Sequence, residues 1–169
     1  MIKAILDPQF QPMVEVVNSY KKAVAQVGGV PLVVAVKRNK GYIATYKLDV
    51  YADGTGHDEE NYGIVERIVK TLLWVYGGYE VTIAGSKKIY EKIKADYDFG
   101  GARDFDRGFM ARVYETDFAV KYVEKAEDAP EENQISEPIG RHLDGCRIGF
   151  DAGGSDFKKA AAILGVRYG

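Results

Sequence analysis

Two glycine pairs, Gly28-Gly29 and Gly77-Gly78, cut the chain where helical periodicity stops and a β-branched run begins. Glycine tolerates the positive φ that closes a helix, so a strand can follow each pair almost at once. Ahead of the first pair, Pro12 can open a helix, and Met13, Val16, Val17, Tyr20, Val24 and Val27 recur at helical spacing. Beyond it, Leu32 to Lys37 is apolar and β-branched, and Asn39-Lys40-Gly41 is a turn. Tyr42 to Tyr51 then alternates, with Tyr42, Ala44, Tyr46, Leu48 and Val50 on one face and Thr45, Lys47 and Asp49 on the other. That pattern predicts a β-hairpin with one solvated face.

The second glycine pair follows the same logic. Ala52 to His57 is a Gly/Asp loop, and Asp58, Glu59 and Glu60 place acids where a helix dipole favours them. Ile64, Ile68, Leu72 and Val75 continue that helix at spacings of three and four. Tyr79 to Ala84 is predicted as a strand and Gly85-Ser86 as a tight turn. Lys87 to Tyr97 is then a helix capped by Ser86, with Ile89 and Ile93 inward. Asp98 to Gly108 reads as a polar loop, and Phe109 to Tyr114 and Phe118 to Glu124 as two more strands. The expected class is α/β or α+β, a mixed sheet flanked by helices over residues 1–124. Lys125 to His142 is acidic and contains two prolines, so 125–144 is expected to be a linker or an exposed crossing segment. Residues 145–169 close the chain with a hairpin of Gly145 to Asp151 and Phe157 to Leu164.

That last hairpin carries the most chemistry. Arg147-Ile148-Gly149-Phe150-Asp151 is a short strand ending in an aspartate, followed by Ala152, the pair Gly153-Gly154 and the hydroxyl of Ser155. Glycines let such a turn expose backbone N–H groups to a phosphate, and the aspartate beside it can hold Mg²⁺ through water. A plain Gly-Gly hairpin turn is the simpler reading. The run resembles the first phosphate-binding hairpin of the sugar kinase, actin and heat-shock chaperone ATPase superfamily. Within it, the run is most similar to the start of ROK-family repressors and sugar kinases, whose first strand reads I-G-I-D-x-G-G-T-K. The stretch from Gly100 to Glu115 also looks like the segment preceding that hairpin in some long bacterial ROK-like sequences.

The resemblance implies a glucokinase-like transferase that moves the ATP γ-phosphate to a hexose hydroxyl, with ATP and Mg²⁺ as cofactors. Asp151, Gly153, Gly154 and Ser155 would contact the nucleotide phosphates, and Asp151 the metal. The family's catalytic base lies in an Asn-Asp motif and its sugar contacts in a Glu-x-Gly-His motif. Neither motif follows Asp151, so no catalytic residue is assigned, and the chain is expected to be a truncated N-terminal portion, inactive alone. The cysteine-rich zinc site common in ROK proteins needs more than the single Cys146. The family pattern also has lysine where this chain has Asp156, and Lys158 or Lys159 would have to compensate for a carboxylate that repels phosphate. The competing reading is a non-catalytic ligand-binding or regulatory α/β domain.

Other candidates have plainer explanations beside the functional ones. Val81 to Lys88 runs from a strand through Gly-Ser into a helix, which suits either an anion site or an ordinary capped connection. Arg103, Arg107 and Arg112 lie near Asp104 and Asp106, which suits an anionic ligand or a set of internal ion pairs. His57 and His142 lack partners at metal or nucleophile spacing, and Cys146 is expected to be a buried small hydrophobe. A net charge of −2 provides no basic footprint for nucleic acid, and no apolar segment is long enough for a membrane, so the cytoplasm is the expected compartment. The resemblance implies a sugar or a nucleotide as partner of the parent protein. A kinase-type first hairpin also normally pairs with a third strand and packs against later helices. Without them, the hairpin is expected either to dock onto the N-terminal sheet or to pair with another copy of the chain, giving a homodimer through the C-terminal hairpin.

Overall fold

A computed structural model describes residues 6–7, 10–135, 145–154, 157–163 and 166–168, with backbone alone at 157, 162–163 and 166–168. It divides into two compact units, Met1–Gln134 and Ile135–Gly169. Among the described residues the protein is α/β. The first unit holds α1 (Met13–Val27), β1 (Val30–Lys37), β2 (Ile43–Val50), α2 (Asp58–Tyr76), β3 (Glu80–Ala84), α3 (Lys87–Asp96), α4 (Asp104–Tyr114) and β4 (Ala119–Val123). The second holds β5 (Arg147–Ala152), β6 (Phe157–Ile163) and β7 (Val166–Tyr168).

The first sheet has the order β2-β1-β3-β4, with β1 antiparallel to both neighbours and β3 parallel to β4. Alternation along the strands sends Leu32, Val34 and Val36 of β1, Leu48 and Val50 of β2, and Val81 and Ile83 of β3 into one core with the helices. On α2 the anticipated Ile64, Ile68 and Leu72 are buried, but the deepest line is Val65, Val69 and Leu73, all fully enclosed. The buried face of α2 is thus two stripes wide, because it sits across β1 and β2 and also touches α3. Val75 falls off that face and is exposed. Gly78 has no room for a side chain: a Cβ there would lie 2.4 Å from Val36 Cγ1, so the pair that ends α2 also lets β3 enter beside β1.

One predicted strand is a helix. Phe109 to Tyr114 belongs to α4, which starts at Asp104 inside the stretch expected to be a loop. A six-residue, largely apolar run interrupted by Arg112 cannot by itself distinguish period two from period 3.6. Asp106 and Met110 are the buried positions, four apart, and Phe109 stacks on Trp74 of α2 at 5.2 Å. Gly108 lies within the helix, where a Cβ would meet nothing, so it marks no turn.

Among the described residues the opposite face of the sheet carries no α-helix, yet Val33, Ala35, Thr82 and Ala84 are buried on it. The cover is the chain after β4. A single 3-10 turn, Ala126–Asp128, lies against β1 and β3. The strap then reaches β2, where the Asn133 N–H donates to the Ile43 carbonyl (3.2 Å) and the Ile43 N–H to Asn133 Oδ1 (2.6 Å). The Asn133 side chain also donates to the Gly41 carbonyl (2.9 Å), and Arg38 donates to Gln134 Oε1 (2.8 Å). Residues 125–134 are therefore a crossing segment, and the break between units falls after Gln134.

Candidate phosphate-binding hairpin

In the second unit β5 and β6 pair antiparallel, and β7 adds a third strand beside β6. The third strand expected to be missing is thus supplied by Val166–Tyr168. The register sets Arg147 against Ala162, Ile148 against Ala161, Gly149 against Ala160, Phe150 against Lys159 and Asp151 against Lys158. Side chains alternate across a strand, so Arg147, Gly149, Asp151, Lys158 and Ala160 share one face. Ile148, Phe150, Ala152, Lys159 and Ala161 share the other. One face is small and charged, the other largely apolar, and Ile148 and Phe150 are exposed at 70% and 75%.

Of the four residues expected to contact phosphate, the structure brings three together. Asp151 is in the next-to-last position of β5, and Gly153 and Gly154 follow Ala152 in the exposed turn. Ser155, like Asp156, lies outside the described residues. Gly154 does not adopt a left-handed φ, and a Cβ built there would meet nothing within 4 Å. Neither backbone conformation nor crowding within the chain requires glycine there. Among the described residues no three His, Cys, Asp or Glu side chains converge on a metal position.

The second anion candidate is closed by the protein itself. Ser86 caps α3, its Oγ accepting from the Ile89 N–H at 3.2 Å. The same hydroxyl donates to Asp53 Oδ1 at 2.6 Å, and the Lys88 N–H donates to Asp53 Oδ2 at 3.3 Å. A carboxylate from the β2–α2 loop therefore occupies the positive end of the helix. Lys88 turns to Asp58 (2.6 Å), and Lys92 pairs with Glu59. The Gly54 N–H and the Lys88 ammonium hold the Asp58 carboxyl below the usual carboxylate range, and Asp58 in turn raises Lys88. The turn itself is forced, since a Cβ at Gly85 would lie 2.4 Å from the Pro31 carbonyl. This is a capped βα connection. Asp53 is 33 residues from Ser86, too distant in sequence for any local pattern to reveal.

Two of the three arginines in the arginine-rich stretch are likewise spent on structure. Arg103 Nε donates to Glu66 Oε1 (2.5 Å), and Arg107 pairs with Asp104 (2.7 Å). That bond from Arg107, followed by the Gly100 N–H, holds the Asp104 carboxyl low. Buried Asp106 accepts from Trp74 Nε1 at 3.0 Å, with Lys70 Nζ at 3.7 Å. His57 stacks on Tyr51 with ring centroids 3.9 Å apart, and its Nδ1 lies 3.0 Å from Glu60. Cys146 is exposed rather than buried. His142 lies outside the described residues. No described helix is long and apolar enough to cross a membrane.

Buried Asn61 was not anticipated. It accepts from the Tyr20 hydroxyl (2.5 Å) and the Tyr51 N–H (3.1 Å), and its amide donates to the Tyr51 carbonyl (2.8 Å). One side chain thereby ties α1, the end of β2 and α2 together. Its position at an i−4 step from Val65 was the available signal. No protein-family model, curated protein or solved structure matches the chain.

Proposed function

We propose that this chain is the N-terminal portion of a ROK-like, glucokinase-like ATP-dependent sugar kinase or regulator and bears its first phosphate-binding hairpin. The observation that carries the reading is the pairing of an aspartate at the end of β5 with an open glycine turn and an antiparallel return strand. The free room at Gly154 supports it, as does the third strand β7. In this reading the Gly153 and Gly154 N–H groups face the phosphate oxygens of a nucleotide, and Asp151 orients the cation that accompanies them. Mg²⁺, when bound, neutralises phosphate charge for transfer. The chain's own residues bind and orient. The Asn-Asp base and the Glu-x-Gly-His sugar motif are not in this sequence, so no proton abstraction from a sugar is assigned to it.

The test is to titrate isotope-labelled protein with ATP and Mg²⁺ while following the Gly153 and Gly154 amides. Saturable shifts there, weakened in Asp151→Asn, are expected. Unmoved glycine amides at millimolar nucleotide refute the reading. With glucose added, no glucose 6-phosphate should form, and turnover by this chain would overturn its catalytic half. Exposed Ile148 and Phe150 support a corollary, that a second copy of the chain pairs through the same hairpin.

A second reading, a non-catalytic ligand-binding domain, is favoured by one feature of the first unit. Between the strap and the bare sheet face lies a groove of about 1030 Å³, with Pro31 and Val33 on its floor and Lys47, Asp49, Lys125 and Glu131 around it. The same titration, repeated with glucose and with glucose 6-phosphate, separates the two. Shifts confined to Val33, Lys47 and Lys125 would replace the kinase reading by this one.

A further inference from the structure

The register of the second unit distinguishes two lysines that look equivalent in sequence. Lys158 and Lys159 are adjacent, but in a strand adjacent side chains leave opposite faces. Lys158 is set directly across from Asp151, and Lys159 across from Phe150. Directly opposed residues of an antiparallel pair hold their Cβ atoms roughly 5 Å apart. Lys158 thus stands beside the carboxylate expected to meet the cation, on the charged face. Only one further rung, Ala152 with Phe157, separates it from the glycine turn. Its ammonium, on a flexible four-carbon stem, can reach that turn from its own rung. Lys159 leaves on the face of Ile148 and Phe150.

Among the described side chains, the other basic one on the charged face is too far away to serve. Arg147 precedes Asp151 by four residues, about 14 Å along an extended strand. The turn meanwhile carries the two acids Asp151 and Asp156 in its sequence. A phosphate there needs a nearby cation to offset them.

We propose that Lys158, and not Lys159, is the phosphate-neutralising residue of this hairpin, supplying from the return strand the positive charge that Asp156 denies the turn. The inference rests on the phosphate reading of the hairpin. It adds that inorganic pyrophosphate and the polyphosphate of a nucleotide are held by this ammonium together with the glycine amides, and that Asp151 and Lys158 act as an opposed pair. Asp151 serves the cation and Lys158 the anion.

The experiment measures pyrophosphate and Mg·ATP affinity of the full chain by the shifts of the Gly153 and Gly154 amides. Lys158→Gln, Lys158→Arg and Lys159→Gln are compared with the parent at two salt concentrations. Loss of one charge-assisted contact at this exposed site should weaken binding by about tenfold in Lys158→Gln. Lys158→Arg should restore most of it, and Lys159→Gln should change it by less than about twofold. The salt dependence should also flatten in Lys158→Gln, a readout that mere misfolding would not produce. Unchanged dispersion of the glycine amides in each variant checks that the turn persists. Equal losses in the two glutamine variants, or no loss in Lys158→Gln, overturn the assignment and leave the phosphate reading standing. A parent chain that binds neither ligand overturns both.

Discussion

The hairpins β1–β2 and β5–β6 are written in the same language and have opposite fates. Both are antiparallel, and in each one strand, β2 or β5, alternates apolar with polar or small positions. In the first, Leu32, Val34, Leu48 and Val50 disappear beneath α1 and α2, and the strap shields the other side of β1. In the second, Ile148 and Phe150 remain mostly open. Alternation makes a hairpin possible, but a covering layer makes it stable, since two or three strands alone are marginal in water. The first hairpin is scaffold. The second leaves the side chains of Ile148 and Phe150 exposed.

The contrast breaks most dramatically at high pH. Burial pushes the Tyr20 phenol up to about 12, and the Tyr62 phenol, donating to Asp96 at 2.6 Å and partly buried, is raised to about 12 as well. Burial raises Tyr97 too. Below pH 10 these phenols are neutral in both folded and unfolded chains and stability is unaffected by them. Above it the unfolded chain releases its protons first, so stability falls as pH climbs from 10 towards 12. Near-UV circular dichroism should collapse in that window, with a late tyrosinate absorbance step. Tyr20→Phe should move the collapse to higher pH, and a parent titrating in one step near 10 would deny the burial.

Next comes the core. Leu73→Ala, at a fully enclosed position, should cost about 2–5 kcal/mol in urea unfolding of the first unit. Phe150→Ala, at an exposed position of the hairpin, should leave that transition within about 0.5 kcal/mol. Equal effects would erase the distinction between the two hairpins. Asn61→Ala removes the bracket on Tyr51 and Tyr20 and leaves buried groups unpaired, at a cost of about 1–3 kcal/mol. Asn133→Ala frees the end of the strap from β2. It should cost about 1 kcal/mol and speed proteolysis between Lys125 and Gln134 before global unfolding. The smallest effect is on assembly. Deleting residues 145–169 should turn a dimer into a monomer of unchanged first-unit stability, and a parent already monomeric by light scattering would remove the hairpin-pairing corollary.

Local sequence determined the elements wherever a pattern was long or punctuated. The fifteen residues of α1 and the nineteen of α2 end at glycine pairs, Ser86 caps α3, and the alternation of β2 predicts which side chains go inward. It also placed Asp151 and the glycines on one turn, since those residues are contiguous. Tertiary structure decided everything that depends on distant partners. Phe109 to Tyr114 became helical because Trp74 and the core beneath Met110 reward a period of 3.6 over a period of two. Asp53 closed the start of α3 from 33 residues away, and Asn133 reached β2 across 90. Which of two adjacent lysines lies across from Asp151 was fixed only when β6 took its register against β5. Short-range order follows from propensity and periodicity along the chain, whereas pairings across it follow from burial and register, which only the folded chain specifies.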